Sequence, residues 1–266
     1  IYFANNCLTS VQDFLDETKL THIDLSNNKL VNFPDISRFV FLISLNLANN
    51  NLSLLRMTSP NSYLTDLDLS GNKISSLTAF LPMTMLRRLN ISNCGLSSLK
   101  GLQHFHLLQK LELSDNKIKE LNYVDELTHL SHLNISNNQI SNIGLMSNLN
   151  KLTFLSHLDV RGNSIEDANF FRILVLHMIP RLRVLNQIEV TAEDLVETQI
   201  FFGEDTESKR VIFENYLPQE DFTDLRLYHA GNVLISSDEI SFLPQENIEC
   251  SSFPVSTSQS KSISIN

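Results

Sequence analysis

The chain has 266 residues and a formal net charge of −10, from 20 lysines and arginines against 30 aspartates and glutamates. Residues 1–163 hold 13 acidic and 13 basic side chains, so residues 164–266, with 17 acidic and seven basic, carry the whole excess. That acidity argues against nucleic acid as the ligand of the C-terminal part and suits basic partners, the other reading being plain solvation of a loosely packed tail.

The chain opens on Ile1, Phe3, Asn6 and Leu8, the pattern that Ile23, Leu25, Asn28 and Leu30 repeat 22 residues later. The same shift superimposes Leu20, Leu42, Leu64, Leu86, Leu108 and Leu130, with Leu155 coming after 25. It also aligns Asn6, Asn28, Asn50, Asn72, Cys94, Asn116 and Asn138, and then Asn163. A period in the twenties with L-x-x-L-x-L-x-x-N/C-x-L is the mark of a leucine-rich-repeat solenoid. The first unit begins part-way through the pattern, so sequence upstream of residue 1 is expected to complete it.

Each L-x-L is expected to form a short strand with its leucines turned inward and its x positions on a concave face. The turn after the strand buries backbone N–H and C=O groups, and the asparagine amide, with donors and an acceptor, satisfies them ahead of and behind itself. One coil cannot bury its leucines alone, so stability comes from stacking. Equivalent x residues then form columns across parallel strands. One reads His22, Ser44, Asp66, Arg88, Lys110, His132, His157; the next reads Asp24, Asn46, Asp68, Asn90, Glu112, Asn134, Asp159. The first column turns basic from Arg88 onward and is joined by Arg87 and Arg161. It can be a docking strip for an acidic protein segment, or a solvated surface neutralised by Glu112 and Asp159. His132, His157 and Asp159 are metal-ligand types, but no fourth ligand is named by the sequence, so no metal is expected.

After residue 163 the pattern changes. Phe170, Ile173, Leu174 and His177 lie at helical spacing, Pro180 stops that helix, and Leu182 and Leu185 resume the repeat. Thr191 to Asp194 reads as a capping box that starts another short helix. The domains are therefore repeats over 1–163, a helical cap over 164–196 and an acidic tail over 197–266. Within the tail a helix is expected from about Thr206 to Tyr216, and the serine-rich end from Cys250 is expected to be disordered. Lys209, Arg210, Val211 and Phe213 spell the short basic–Val–x–Phe motif by which proteins dock on protein phosphatase 1. The competing reading puts them on an amphipathic helix with Ile212 and Tyr216.

The 22-residue lattice resembles the cytosolic leucine-rich-repeat class that includes the phosphatase 1 regulatory repeat subunit, dynein light chain 1 and the spliceosomal A-prime protein. The cap is similar to that class's C-terminal motif at Phe171-Arg172, Ile179-Pro180-Arg181-Leu182 and Leu185-Asn186. It departs at Ser164, where the motif has proline, and at Asn186, where it has aspartate. The stretch from Val190 to Thr198 resembles the segment just past the cap in axonemal radial-spoke members. The resemblance implies a protein-binding scaffold in a cytoskeletal setting such as a ciliary axoneme, part of a larger complex.

Secreted proteins of this architecture close their ends with cysteine clusters, whereas Cys7, Cys94 and Cys250 are scattered and odd in number, which reads as a reducing compartment. No signal peptide or membrane span is visible, and a cytoplasmic location is expected. The sequons at Asn51, Asn90 and Asn134 are read as unused, the latter two lying on the expected binding face. No catalytic signature occurs, so an enzyme is not expected, and neither is a cofactor. The expected function is a non-enzymatic adaptor that binds protein through the concave face and the acidic tail. The alternatives are a regulatory subunit of protein phosphatase 1 and the targeting module of a longer enzyme.

Overall fold

The structure, a computed structural model, describes residues 1–11, 19–53, 63–78 and 83–203. The tail from residue 204, with the expected helix, the Lys209–Phe213 motif and the serine-rich end, lies outside the described residues.

Seven three-residue strands recur at the repeat spacing: β1 His22–Asp24, β2 Ser44–Asn46, β3 Asp66–Asp68, β4 Arg88–Asn90, β5 Lys110–Glu112, β6 His132–Asn134 and β7 His157–Asp159. They pair in parallel, each with its successor and with equivalent residues opposite one another. Ahead of them Tyr2 bridges to Asp24, also in parallel. In every strand the central Ile or Leu is buried and the flanking residues face outward, as the two-residue period of a strand requires. The leucine columns merge into one continuous core from Leu20 to Leu185, each buried Leu or Ile contributing about 1.5–3 kcal/mol.

The asparagine column is buried and bonded, but it reaches in one direction only. Asn116 donates to Leu113 O in its own coil at 2.9 Å and to Ile91 O in the preceding coil at 2.9 Å. Its Oδ1 accepts from Leu96 N at 2.9 Å and Cys94 N at 3.1 Å, again in the preceding coil. Asn138 repeats the arrangement with Leu113 O, Ile135 O and Ile118 N. The expectation of bonds ahead as well as behind is thus corrected. The amide sits where the chain leaves the strand, and beyond its own coil only the earlier coil's turn lies within its reach. Among the described residues no buried side-chain nitrogen or oxygen lacks a partner.

The residue before each ladder position takes a left-handed conformation. Asn5, Asn27, Asn49, Asn93, Asp115 and Asn137 have φ between 52° and 60°, and Gly71 and Gly162 fill the same place at 67° and 68°. Asn, Asp and Gly are the residues that tolerate that region. Cys94 stands in for asparagine by bringing Sγ to 3.2 Å from Leu69 O, and burial pushes its thiol up to about 11. In the native protein Cys94 should therefore resist iodoacetamide while exposed Cys7 reacts. Peptide mass spectrometry after labelling checks this; equal labelling of the two would be a clear failure.

The coil between β6 and β7 is three residues longer than the others, and it carries the nine-residue 3-10 segment Ile143–Lys151 where earlier coils have Leu102–His104 and Val124–Glu126. Beyond β7 come a 3-10 turn at Ser164–Asp167, helix α1 at Phe171–Met178, strand β8 at Val184–Leu185, strand β9 at Ile188–Glu189 and helix α2 at Ala192–Phe202. β8 continues the parallel sheet against β7, which is how Leu185 resumes the repeat. β9 then turns back antiparallel on β8, a feature the repeat pattern does not announce. Its two-residue connection, Asn186-Gln187, has φ of 54° and 65°, the geometry of a tight hairpin with both central residues left-handed.

Thr191 and Asp194 form the expected capping box at the start of α2. The helix runs on past residue 196 to Phe202 because Phe201 is buried against Phe170, ring centroids 5.1 Å apart, and Phe202 stacks on His177 at 3.7 Å.

Candidate functional site

Parallel pairing in register brings the two outward columns into line. Asp66, Arg88, Lys110, His132 and His157 are successive partners on β3 to β7, as the repeat spacing implied. The face is polar, and between β2 and β5 it has a shallow depression of about 250 Å³ lined by Asp66, Asp68, Arg88, Lys110 and Glu112 among others.

Most of its charges already have partners. The Arg88 guanidinium donates to Asp66 one strand back, Lys110 Nζ lies 3.1 Å from Glu112, and Arg161 grips Asp159 through Nε at 2.9 Å and Nη2 at 2.7 Å. Burial works to raise the Asp66 carboxyl, but the hydrogen bonds from Arg88 and Thr65 outweigh it and hold the group below the usual carboxylate value. Asp159, placed among the partner-binding residues by its column, is buried and also accepts from Arg161 N and Gln187 Nε2. Its carboxylate serves the fold. Arg87, named beside the column, lies one residue ahead of β4, exposed, and its guanidinium makes no ion pair among the described residues.

His132 and His157 stack with centroids 4.0 Å apart and planes at 15°. Each Nδ1 meets the hydroxyl of the preceding serine, at 2.8 Å for Ser131 and 2.9 Å for Ser156. Those hydroxyls already donate to Gln109 O and Ser131 O, so the neutral rings carry their proton on Nδ1. Burial first, then the neighbouring His157 and Lys110, push the His132 imidazole below the ordinary histidine value. Among the described residues no group of three His, Cys, Asp or Glu side chains could hold a metal ion, and no helix is long and apolar enough to cross a membrane.

The second column has a structural role that sequence reading missed. In Asp24, Asn46, Asp68, Asn90, Asn134 and Asp159 the side-chain oxygen accepts from the backbone N–H two residues on, at 2.9–3.2 Å. These are Asx turns that close each strand. Six Asp or Asn residues among the seven of that column were the available signal. Glu112, one methylene longer, turns to Lys110 instead. Asn90 and Asn134, read as unused sequons, hold such turns, and Asn90 also donates to Asp68 at 3.1 Å.

A family model described as Leucine Rich repeat matches residues 61–77, 126–147 and 151–168, and a second, also described as Leucine Rich Repeat, matches residues 19–39. Among solved structures, a leucine-rich-repeat protein of Leptospira interrogans superposes with a TM-score of 0.52 at 23% identity, over 62% of this chain and 46% of that one. Internalin C2 of Listeria monocytogenes gives 0.51 at 22%, over 64% and 73%. A further Listeria monocytogenes internalin, InlF, gives 0.51 at 25%, over 68% and 59%. The matched region thus spans less than half of the first of these proteins. No curated protein sequence matches the chain. Leucine-rich repeats are thus present at the matched residues, and the fold is the α/β solenoid of that class, whose members generally bind other proteins.

Proposed function

We propose that the protein is a non-enzymatic scaffold or adaptor of the cytoplasm that docks an acidic segment of a partner on the outward face of its sheet, within a cytoskeletal assembly of the axonemal kind. The observation that carries the reading is the unbroken alignment of Arg88, Lys110, His132 and His157 on four neighbouring strands. The setting rests on the likeness of the cap and of the stretch from Val190 to Thr198 to axonemal repeat proteins. Arg88 and Lys110 remain largely exposed while paired, so a stronger anionic ligand can draw them from Asp66 and Glu112 at a cost of about 1 kcal/mol or less per pair.

Affinity purification with mass spectrometry supplies the partner. Reversing Arg88 and Lys110 to glutamate should then weaken binding about tenfold or more, mainly through the association rate, and added salt should weaken the wild-type complex. Acidification should strengthen it, with the onset delayed below the ordinary histidine value of about 6.5 because His132 resists charging. The control reverses Asp66 and Asp68 to lysine; binding lost there and kept in the arginine–lysine variant would sink the proposal. Recovery of a phosphatase catalytic chain would instead favour the regulatory-subunit reading through Lys209, Arg210, Val211 and Phe213. Recovery of the chain as part of a longer enzyme would favour a targeting module.

A further inference from the structure

Beside the polar face runs a second surface that the columns read from the strands do not include. Three residues before each strand the coils place Phe41, Tyr63, Met85, Leu107, His129 and Phe154 in equivalent positions. The positions one residue before each strand are held in line by backbone hydrogen bonds of 2.8–3.0 Å, from Ile43 N to Thr21 O through to Arg183 N to Ser156 O. The two sets lie side by side on the rim of the sheet, separated by a buried leucine.

The set three residues before each strand is largely apolar and exposed. Phe41, Tyr63 and Phe154 keep 55%, 60% and 61% of their surface in solvent, and Met85 and Ile43 keep 38% and 40%. Nothing in the repeat demands this, since the core leucines are satisfied without these side chains. A stripe crossing six coils, apolar at five of them and aromatic but polar at His129, is the kind of surface that marks an interaction site.

The rim is also one-signed. From Lys19 to Arg183 neither set contains an aspartate or glutamate, although residues 1–163 hold as many acids as bases, 13 of each. Arg87 and Arg183 stand on it with guanidiniums that make no ion pair among the described residues. On the neighbouring strand face, by contrast, Arg88, Lys110 and Arg161 are each held by a carboxylate. Of these two surfaces, the rim is the one whose arginines are unneutralised.

We propose that this rim docks an acidic amphipathic α-helix of a partner protein, its apolar residues on the Phe41–Phe154 stripe and its carboxylates on Arg87 and Arg183. Spacing selects the helix. Coils advance by about 4.8 Å, close to the 5.4 Å pitch of an α-helix, so one apolar residue per turn meets one coil. A strand laid the same way repeats every 6.8 Å or so and falls out of step within two coils. Five steps from Phe41 to Phe154 span about 24 Å, or about 16 helical residues. The inference rests on reading the chain as a protein-binding module, but it names a different surface and a defined partner chemistry.

The test uses the full chain and a synthetic helix of about 16 residues with leucines once per turn and glutamates flanking them. Fluorescence anisotropy should show binding that falls about tenfold in Arg87→Glu and in Met85→Glu, both exposed sites, with circular dichroism confirming an unchanged fold. Arg88→Glu with Lys110→Glu should weaken this binding clearly less than Arg87→Glu does. A peptide with lysines in place of the glutamates should fail to bind. No binding of the acidic peptide, or equal binding of the lysine peptide, overturns the proposal. Loss of binding in the Arg88–Lys110 variant alone moves the acidic ligand to the strand face and overturns the rim while leaving the proposed function intact. Phosphatidylserine vesicles bound through Met85 with no peptide bound, or a dimer in sedimentation dispersed by Phe154→Ser, would assign the stripe to a membrane or a second copy and overturn it too.

Discussion

Asn116→Ala should lower the unfolding free energy by about 3 kcal/mol, the upper range for orphaning several buried polar groups together. The amide carries two short donor bonds, to Ile91 O and Leu113 O, and two acceptor bonds, from Leu96 N and Cys94 N, at a site almost closed to solvent. Alanine leaves those backbone groups buried between coils with no water to replace the amide. Cys94→Ala, one coil earlier in the same column, should cost below about 1 kcal/mol. The thiol bonds weakly: its acceptor Leu69 O also takes a bond from Asn72 Nδ2 at 2.7 Å, and the backbone N–H groups of Asn72 and Ile74 that face the sulfur lose only a weak partner. Urea unfolding of the two variants beside wild type decides the matter; coincident midpoints for wild type and Asn116→Ala would remove the asparagine column from the account of stability.

Asp194→Ala should loosen the C-terminal cap at a cost of about 2 kcal/mol. Its carboxylate accepts from Arg172 Nε and Nη2, both at 2.7 Å, and from Thr191 N at 2.8 Å, which ties α2 to α1 and caps α2 at once. Arg172 also donates to Glu189 O at 2.9 Å, so the same guanidinium holds β9. The Arg172 hydrogen bonds, then those from Thr191, pull the Asp194 carboxyl down to about 2 from 3.8. A carboxylate depressed in the folded state stabilises fully above its unfolded value and stops doing so as pH falls through its folded one. The difference in stability between wild type and Asp194→Ala should therefore be constant above pH 3.8 and shrink toward pH 2. Hydrogen exchange over Ala192–Phe202 reads the local effect. A difference that grew on acidification would show the carboxylate to be destabilising. Arg172→Lys should not restore the cap, since a point charge cannot make the paired contact.

The repeat itself was legible because every coil buries the same residues in the same places, so the core writes its period into the leucines. The asparagine column and the Thr191–Asp194 box were legible for a related reason: each is a side chain answering a backbone need at a fixed offset. The features that the repeat did not disclose depend on geometry between coils or on local turns. Arg88 stood next to Asp66 in its column, yet which of the surrounding carboxylates it would take depends on side-chain reach rather than order along the chain. Asp159 looked like surface until its turn, Arg161 and Gln187 closed over it. β9 was hidden because Asn186 and Gln187 turn the chain by adopting left-handed conformations that neither residue announces as strongly as glycine would. The rim was readable in principle, but positions three before each strand fall outside the inward and outward alternation that directs attention to the strand.

The one-way reach of the asparagines gives the solenoid a polarity in time as well as in space. Asn28, Asn50, Asn72, Asn116, Asn138 and Asn163 each accept from a backbone N–H of the coil before them. A coil emerging from the ribosome therefore stays unfinished until its successor has been made, and the growing end always trails one unfastened turn. Where the array ends, Asn186 Oδ1 accepts at 2.9 Å from Val160 N, the strand-exit N–H that in earlier coils bonds the next strand's backbone carbonyl. Shortening the protein from its C-terminal side strips the fastener from the coil left behind. Shortening it from the N-terminal side also uncovers a layer of leucines, but it leaves the asparagine fasteners of the remaining coils in place. The two ends of the array are thus unequal in what they can lose, although the repeats between them look alike.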